Sequence, residues 1–335
     1  MGLEGEGRKD IVVSLNDIAQ PIRRHLDVFP STFRGALRST VGVVELVTRY
    51  LVRRKGKQVR PILVFLSADA CGDVNERSYR GATLVEILHT ATLVHDDVVD
   101  EADTRRGFPS INAVWKNKIA VLMGDYLLSR GLLLSLDNGD VDFLAITSRA
   151  VKRMSEGELQ QIVRSRKLDL DEESYLRIIG DKTASLISTC CEIGAVSATS
   201  DAGVHRALRD YGEYLGLAFQ IRDDLLDYVG RKGITGKPTG LDMSGGKLTL
   251  PLIHALGKAG KEERRKILAL VRKGGKKLDV RRVVEFVRGY GGLEYAEEKA
   301  RFFAQRARES LAQLPMTPSR DSLERFAEFV VSREK

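Results

Sequence analysis

The sequence predicts an all-α protein, because apolar residues recur at spacings of three and four almost throughout. Leu84, Ile87, Leu88 and Ala91 show the pattern, as do Leu215, Ala218, Phe219 and Leu226, and later Val283, Val284 and Val287. Such spacing marks helices with one buried face. Alternating polar and apolar runs joined by hairpin dipeptides are nearly absent. Glycine- and proline-bearing stretches then break the periodic segments where helices would end.

The chain has 335 residues, of which 43% are hydrophobic and 30% charged, so it can bury a sizeable core. No Pro/Gly/Ser-rich linker divides it. One domain is expected over residues 11–335, behind a disordered polar N-terminus at 1–10. That terminus, "MGLEGEGRKD", lacks the apolar run of a secretory signal. Cys71, Cys190 and Cys191 are too few, and two of them too close together, for a disulfide framework or a zinc site. A reducing compartment, the cytoplasm, is expected.

Taken in order, the first punctuation is "GKQVRP" at 56–61, a glycine-led turn opening a helix. The apolar helix "TLVEILHTATLV" follows and runs straight into "HDDVVD" at 95–100. "GFPS" at 107–110 then separates it from "IAVLMGDYLLSRGLLLSL". Asp125 and Arg130 interrupt that second apolar run, so it is expected to be a core helix rather than a membrane span. "DNGD" at 137–140 is a turn, and "GDKTASL" lies further on. Another apolar helix ends in "RDDLLD" at 222–227, before the long irregular stretch 229–251. Such a stretch is expected to be functional or disordered.

The formal net charge is +8, with many lysines and arginines after Gly257. That excess suits nucleic acid, anionic lipid, an anionic small substrate or simply a solvated helical face. No zinc-finger spacing or RNP-like aromatic pattern supports nucleic acid.

The chemistry centres on the repeated Asp-Asp-x-x-Asp. On a helix, Asp96 and Asp100 stand at i and i+4 and share a face, with Asp97 beside them; Asp223, Asp224 and Asp227 repeat the arrangement. Each cluster repels itself unless a cation binds. Hard oxygen donors on this spacing suit Mg²⁺, which takes one or two carboxylates together with water and phosphate oxygens. The Ca²⁺-binding loop of an EF-hand and the Cys/His set of zinc are both missing. Two such clusters facing each other across a bundle could bridge a diphosphate through several ions.

The basic residues fit the same picture. Arg105 and Arg106 follow the first cluster after a short turn and can grip phosphate bidentately. Lys57 and Arg60 sit at a helix start, where backbone N–H groups favour an anion. Lys182, Lys237 and Lys247 add charge in glycine-bordered segments.

With these motifs in place, the chain resembles the trans-isoprenyl diphosphate synthases, or polyprenyl synthases. The motifs are "GKQVRP", "EILHTATLVHDDVVDEADTRRG", "MGDYLLSR", "GDKTASL", "FQIRDDLLD" and "GKPTGLDMSGGKLTLP", in that order. The resemblance implies an all-α bundle around a deep central cavity and a homodimer. It implies Mg²⁺, three ions per site, on Asp96, Asp97, Asp100, Asp223 and Asp227, with Asp224 the sixth acid. Lys57, Arg60, His89 and Arg106 would hold the diphosphate of isopentenyl diphosphate; Arg105, Lys182 and Lys237 that of the allylic substrate, with Lys247 close by. His89 lies two helical turns before Asp96 on the same face, which favours a ligand over a core histidine. Family members usually carry a second glycine before "GK" and often a basic residue after the lysine, where this chain has Lys55 and Gln58.

The implied reaction breaks an allylic C–O bond, with electrostatic stabilisation of the departing diphosphate. The isopentenyl π-bond attacks the allylic cation, and the diphosphate removes the proton. Thr183 and Gln220 match positions that place oxygen dipoles near that cation. Aromatic residues one turn before the first motif shorten the product in this family, and Ala91 and Thr92 are small. Gly131, Leu132 and Leu133 are likewise not bulky aromatics. A medium- or long-chain all-trans product for quinone side chains is therefore expected, with a farnesyl or geranylgeranyl product as the alternative. Terpene cyclases and head-to-head condensing enzymes usually lack the second intact motif. Regulatory subunits of heteromeric synthases tend to lose both. Transient contact with a membrane surface would serve product release.

Overall fold

The computed structural model describes residues 14–53, 56–105, 107–168, 170–229, 247–273 and 279–333. The 1–10 terminus, Arg106, Lys237 and residues 230–246 of the irregular stretch lie outside them. The remainder is helical apart from one short hairpin, as the periodicity predicts.

The chain opens with α1 (Leu15–Ile18), a 3-10 turn (Gln20–Ile22), α2 (Arg23–Ala36) and α3 (Gly42–Val52). α4 (Val59–Cys71) leads to α5 (Glu76–Val99), which starts at a reciprocal cap between Asn75 and Ser78. Strands β1 (Thr104–Arg105) and β2 (Phe108–Pro109) pair antiparallel and turn the chain into α6 (Ile111–Asp137). α6 leaves helical geometry at Lys116, where φ is 70°. α7 (Val141–Lys167) follows the predicted "DNGD" turn, in which Gly139 adopts φ 71°. That turn is fastened to the start of α5: buried Asp140 accepts from Arg77 at 3.0 Å and Arg80 at 2.6 Å.

α8 (Glu172–Ile179) continues through a π-helical turn, Gly180–Ala184, into α9 (Ser185–Ala198). α10 (Ala202–Val229) carries the second acidic motif. α11 (Leu250–Lys258), α12 (Lys261–Lys273), α13 (Val280–Gly289), α14 (Gly292–Ser310) and α15 (Pro318–Ser332) complete the bundle. α9 is buried on nearly every side and packs against α4, α5, α7 and α10. Burial on nearly every side, with Ser185, Ser188, Thr189 and Ser197 among the buried residues, makes α9 the central helix of the bundle.

α6 divides its surface. Gly124, Leu127, Gly131 and Ser135 are buried where α6 packs along α5, whereas Val121, Leu122, Leu132, Leu133 and Leu136 on the other side are exposed. Among the described residues it is the one helix long and apolar enough to cross a membrane. Its buried face keeps it within the bundle, as expected of a core helix, but only one side of it is core.

Candidate active site

Both acidic motifs occupy helix C-termini. Asp96 and Asp97 lie in the last turn of α5 and Asp100 caps it; Asp223, Asp224 and Asp227 fall in the last two turns of α10. The C-terminal end of a helix carries partial negative charge, so acids there destabilise the fold unless a cation compensates. Burial, the largest influence, raises the Asp96 carboxyl above the ordinary aspartate range. Lys182 and Arg105 pull it back down, while Glu158 and Asp100 push it further up.

The six acids are not equivalent. Asp97 is buried and accepts from Arg105 Nε at 2.5 Å, a contact made possible by the β1–β2 hairpin folding back on α5. Asp224 is also buried: Tyr175 donates to its Oδ2 at 2.7 Å and Gln220 Nε2 to its Oδ1 at 2.8 Å. The middle acid of each motif is thus oriented by neighbouring donors. The flanking acids project differently, Asp100 and Asp223 being exposed. Among the described residues no three metal-binding side chains form a ready-made cage.

A cavity of about 620 Å³ lies beside the first motif. Lys57, Arg60, His89, Asp97 and Arg105 give it a polar rim, and Phe29, Phe33, Leu37, Phe326 and Val330 an apolar body. Its size falls within the range of small-molecule sites. Gln58, at the start of α4 between Lys57 and Arg60, holds φ 50°, a left-handed conformation uncommon for a residue with a Cβ. An adjoining cavity of about 100 Å³ is lined by Lys182, Gln220, Asp224 and Lys247, and Thr183 lines both. Thr183 Oγ1 donates to Gln220 Oε1 at 2.9 Å. Lys182 pairs with Glu158 and approaches Gln161 Oε1 at 3.4 Å.

The structure therefore brings Lys57, Arg60, His89, Asp97 and Arg105 onto one cavity and Lys182, Gln220, Asp224 and Lys247 onto its neighbour. Ala91 and Thr92 line neither. Ala91 is fully buried among Leu37, Val94, Met123 and Leu127, and Thr92 Oγ1 donates to the His89 carbonyl at 2.9 Å.

Sequence reasoning missed Glu158, Gln161, Tyr175 and Arg333. Arg333 follows the last helix, stacks 3.9 Å from the Phe219 ring and donates to Asp223 at 2.5 Å. It lines the larger cavity, its side chain is 11% exposed, and its Nε has no hydrogen-bond partner. Arg333 thus links Asp223 to the lining of the cavity that Asp97 borders, while Asp224 borders the adjoining one. No nucleophilic thiol is offered: burial pushes Cys71 and Cys191 up to about 12.

Residues 42–287 match the family model for polyprenyl synthetases. The chain belongs to the polyprenyl synthetase family. It is 36% identical over 299 residues to the octaprenyl diphosphate synthase of Escherichia coli, covering 89% of this chain and 93% of that protein. It is 35% identical over 291 residues to a short chain isoprenyl diphosphate synthase of Methanothermobacter thermautotrophicus, covering 86% and 89%. A polyprenyl synthase from Caulobacter crescentus, solved with calcium and isoprenyl diphosphate, superposes with a TM-score of 0.88 at 36% identity, over 97% of this chain and 99% of that one. The protein is a trans-polyprenyl diphosphate synthase, a transferase of a family that uses divalent metal and whose substrates are isopentenyl diphosphate and an allylic diphosphate. The all-helical fold matches the isoprenoid synthase architecture.

Proposed function

We propose that the enzyme builds a medium- or long-chain all-trans polyprenyl diphosphate, of the kind used for quinone side chains, with Mg²⁺ at the two acidic helix ends. The observation that carries this reading is the pair of adjoining cavities that share Thr183, the large one lined by Asp97 of the first motif, basic residues and many apolar side chains, the small one by Asp224 of the second.

Asp96, Asp97, Asp100, Asp223 and Asp227 would hold the ions, three per site, with Asp224 completing the acidic set. The donors fit: they are hard oxygens without a preformed cage, and Mg²⁺ commonly completes its shell with substrate phosphate. When bound, Mg²⁺ neutralises charge developing on the departing diphosphate. Lys182 and Lys247 in the smaller cavity and Arg105 in the larger add positive charge near the acids. Lys57, Arg60 and His89 would receive the diphosphate of isopentenyl diphosphate, and Arg333, with its unpartnered Nε, adds a donor there. Gln220 is held by Thr183 and Asp224, so its side-chain dipole is fixed rather than free to rotate. The apolar body keeps water from the allylic cation.

A second copy of the chain is proposed to cover the exposed apolar side of α6, giving a homodimer; a monomer in sedimentation at micromolar concentration would remove that expectation. For chain length, Leu37, Val94 and Ile111 matter, since they line the cavity and also pack in the cluster around Ala91. Ala91→Phe should push this shared wall inward and shorten the product. Overpacking costs about 1–3 kcal/mol, so a melting curve should accompany product sizing. A folded variant with an unchanged product distribution would remove the chain-length argument.

The reading as a whole is tested by incubating purified protein with Mg²⁺, labelled isopentenyl diphosphate and geranyl, farnesyl or geranylgeranyl diphosphate. Products well beyond twenty carbons support it. Termination at fifteen or twenty carbons would establish the short-chain alternative.

A further inference from the structure

The π-helical turn Gly180–Ala184 sends two neighbouring side chains to different partners. Lys182 meets Glu158 and Gln161 of α7, whereas Thr183 meets Gln220 of α10. A π-helical turn carries one residue more than an α-turn and persists only where its surroundings support it. Three contacts provide that support. Ser185 Oγ donates to the Asp181 carbonyl at 2.6 Å. Gly157 of α7 brings backbone against the turn: a Cβ there would lie 2.9 Å from Asp181 Cβ and 3.0 Å from Lys182 N.

The third contact is Arg153, one helical turn before Gly157. Its Nε donates to Asp181 Oδ1 at 2.8 Å, and its two terminal nitrogens donate to Glu213 of α10 at 2.7 and 3.0 Å. A planar guanidinium holds a carboxylate in this forked way, which a lysine cannot reproduce. The carboxylates, in turn, hold the Arg153 guanidinium well above its usual range, with Glu213 the largest influence. Glu213 and Gln220 are seven residues apart on one face of α10. Arg153 thus ties together the turn bearing Lys182 and Thr183 and the helix bearing Gln220 and the second acidic motif. It lines neither cavity.

We infer that Arg153 is a positioning residue for the allylic half of the reaction, clamping Asp181 to Glu213 so that Lys182 and Thr183 keep their places relative to the second acidic motif. This rests on the proposed allylic role of Lys182. Misplacing a binding group by about 1 Å can cost up to about a hundredfold.

The test uses the full-length enzyme with wild-type turnover established first; absence of wild-type turnover would count against the functional reading, not against the clamp. Steady-state constants for each substrate and thermal melts are then compared for Arg153→Gln, Arg153→Lys and Asp181→Ala. Arg153→Gln should raise KM for the allylic diphosphate roughly tenfold, with KM for isopentenyl diphosphate changed less than about twofold. Arg153→Lys should recover only part of the loss. Asp181→Ala removes the acceptor on the turn but keeps the Arg153–Glu213 bridge, so it should reproduce the allylic shift even if Arg153→Gln folds poorly. Equal shifts in both KM values, or no shift in Asp181→Ala, would overturn the proposal.

Discussion

Asp96→Ala and Asp223→Ala are each expected to lower kcat by at least about a thousandfold, equivalent to roughly 4 kcal/mol of transition-state stabilisation. Each substitution removes a proposed metal ligand from one of the two helix ends proposed to address the leaving group. Turnover within tenfold of wild type in either variant would contradict the assignment. Their effects on stability should differ. Burial raises the Asp96 carboxyl, so its charge opposes folding, and the metal-free Asp96→Ala protein should melt at or above the wild-type temperature. Asp223→Ala instead deprives the half-buried Arg333 of an exposed carboxylate and should cost about 1 kcal/mol or less.

The sign of the pH dependence follows from the same shift. Native Asp96 keeps its proton to higher pH than the unfolded chain, whose aspartates titrate near about 3.9. Between that value and the raised native one the folded state binds more protons, so this residue's contribution makes stability fall as pH rises. Asp96→Asn should flatten that part of the stability profile. An identical profile in the variant would show that Asp96 is solvated rather than strained.

Gly216→Ala should lower stability by about 1–3 kcal/mol even though alanine gains up to about 1 kcal/mol over glycine within a helix. A Cβ at 216 would lie 2.6 Å from Ala184 Cβ and would overlap the Ala184 backbone. Rotation of a side chain cannot relieve an overlap with backbone, so α10 must withdraw from the π-helical turn. The melt should fall by roughly 1–2 °C per kcal/mol lost. The Thr183–Gln220 hydrogen bond spans the same gap and should lengthen with it, lowering turnover as well. An unchanged melt with full activity would show that the two helices separate at little cost.

Legibility in the sequence followed the range of the interactions. The helical class and both acidic faces depend on spacings of three and four residues, which a single chain displays directly. Lys57, Arg60 and Lys182 stood out because glycine-bordered turns flagged them. The contact of Arg105 with Asp97 spans eight residues and was within reach of inspection. Arg333 touches Asp223 across 110 residues, and Arg153 reaches Glu213 across 60, so neither contact has a local signature. Nothing in "GDKTASL" announces a π-helical turn, because packing of α7 and α10 selects it. Ala91 and Thr92, expected at the wall of the product channel, line neither cavity, because which face of α5 borders the large cavity is decided by neighbouring helices. The exposed apolar side of α6 was hidden for a similar reason: composition shows that a helix is greasy, not which neighbours cover it.

The uneven treatment of the six acids bears on the order in which ligands arrive. Asp97 engages Arg105, Asp224 engages Tyr175 and Gln220, and Asp223 engages Arg333. Under the proposed assignment, neither ion nor substrate meets a finished receptor. Each brings coordination that the other lacks, and by thermodynamic reciprocity whatever diphosphate does to the affinity for the ion, the ion does equally to the affinity for diphosphate.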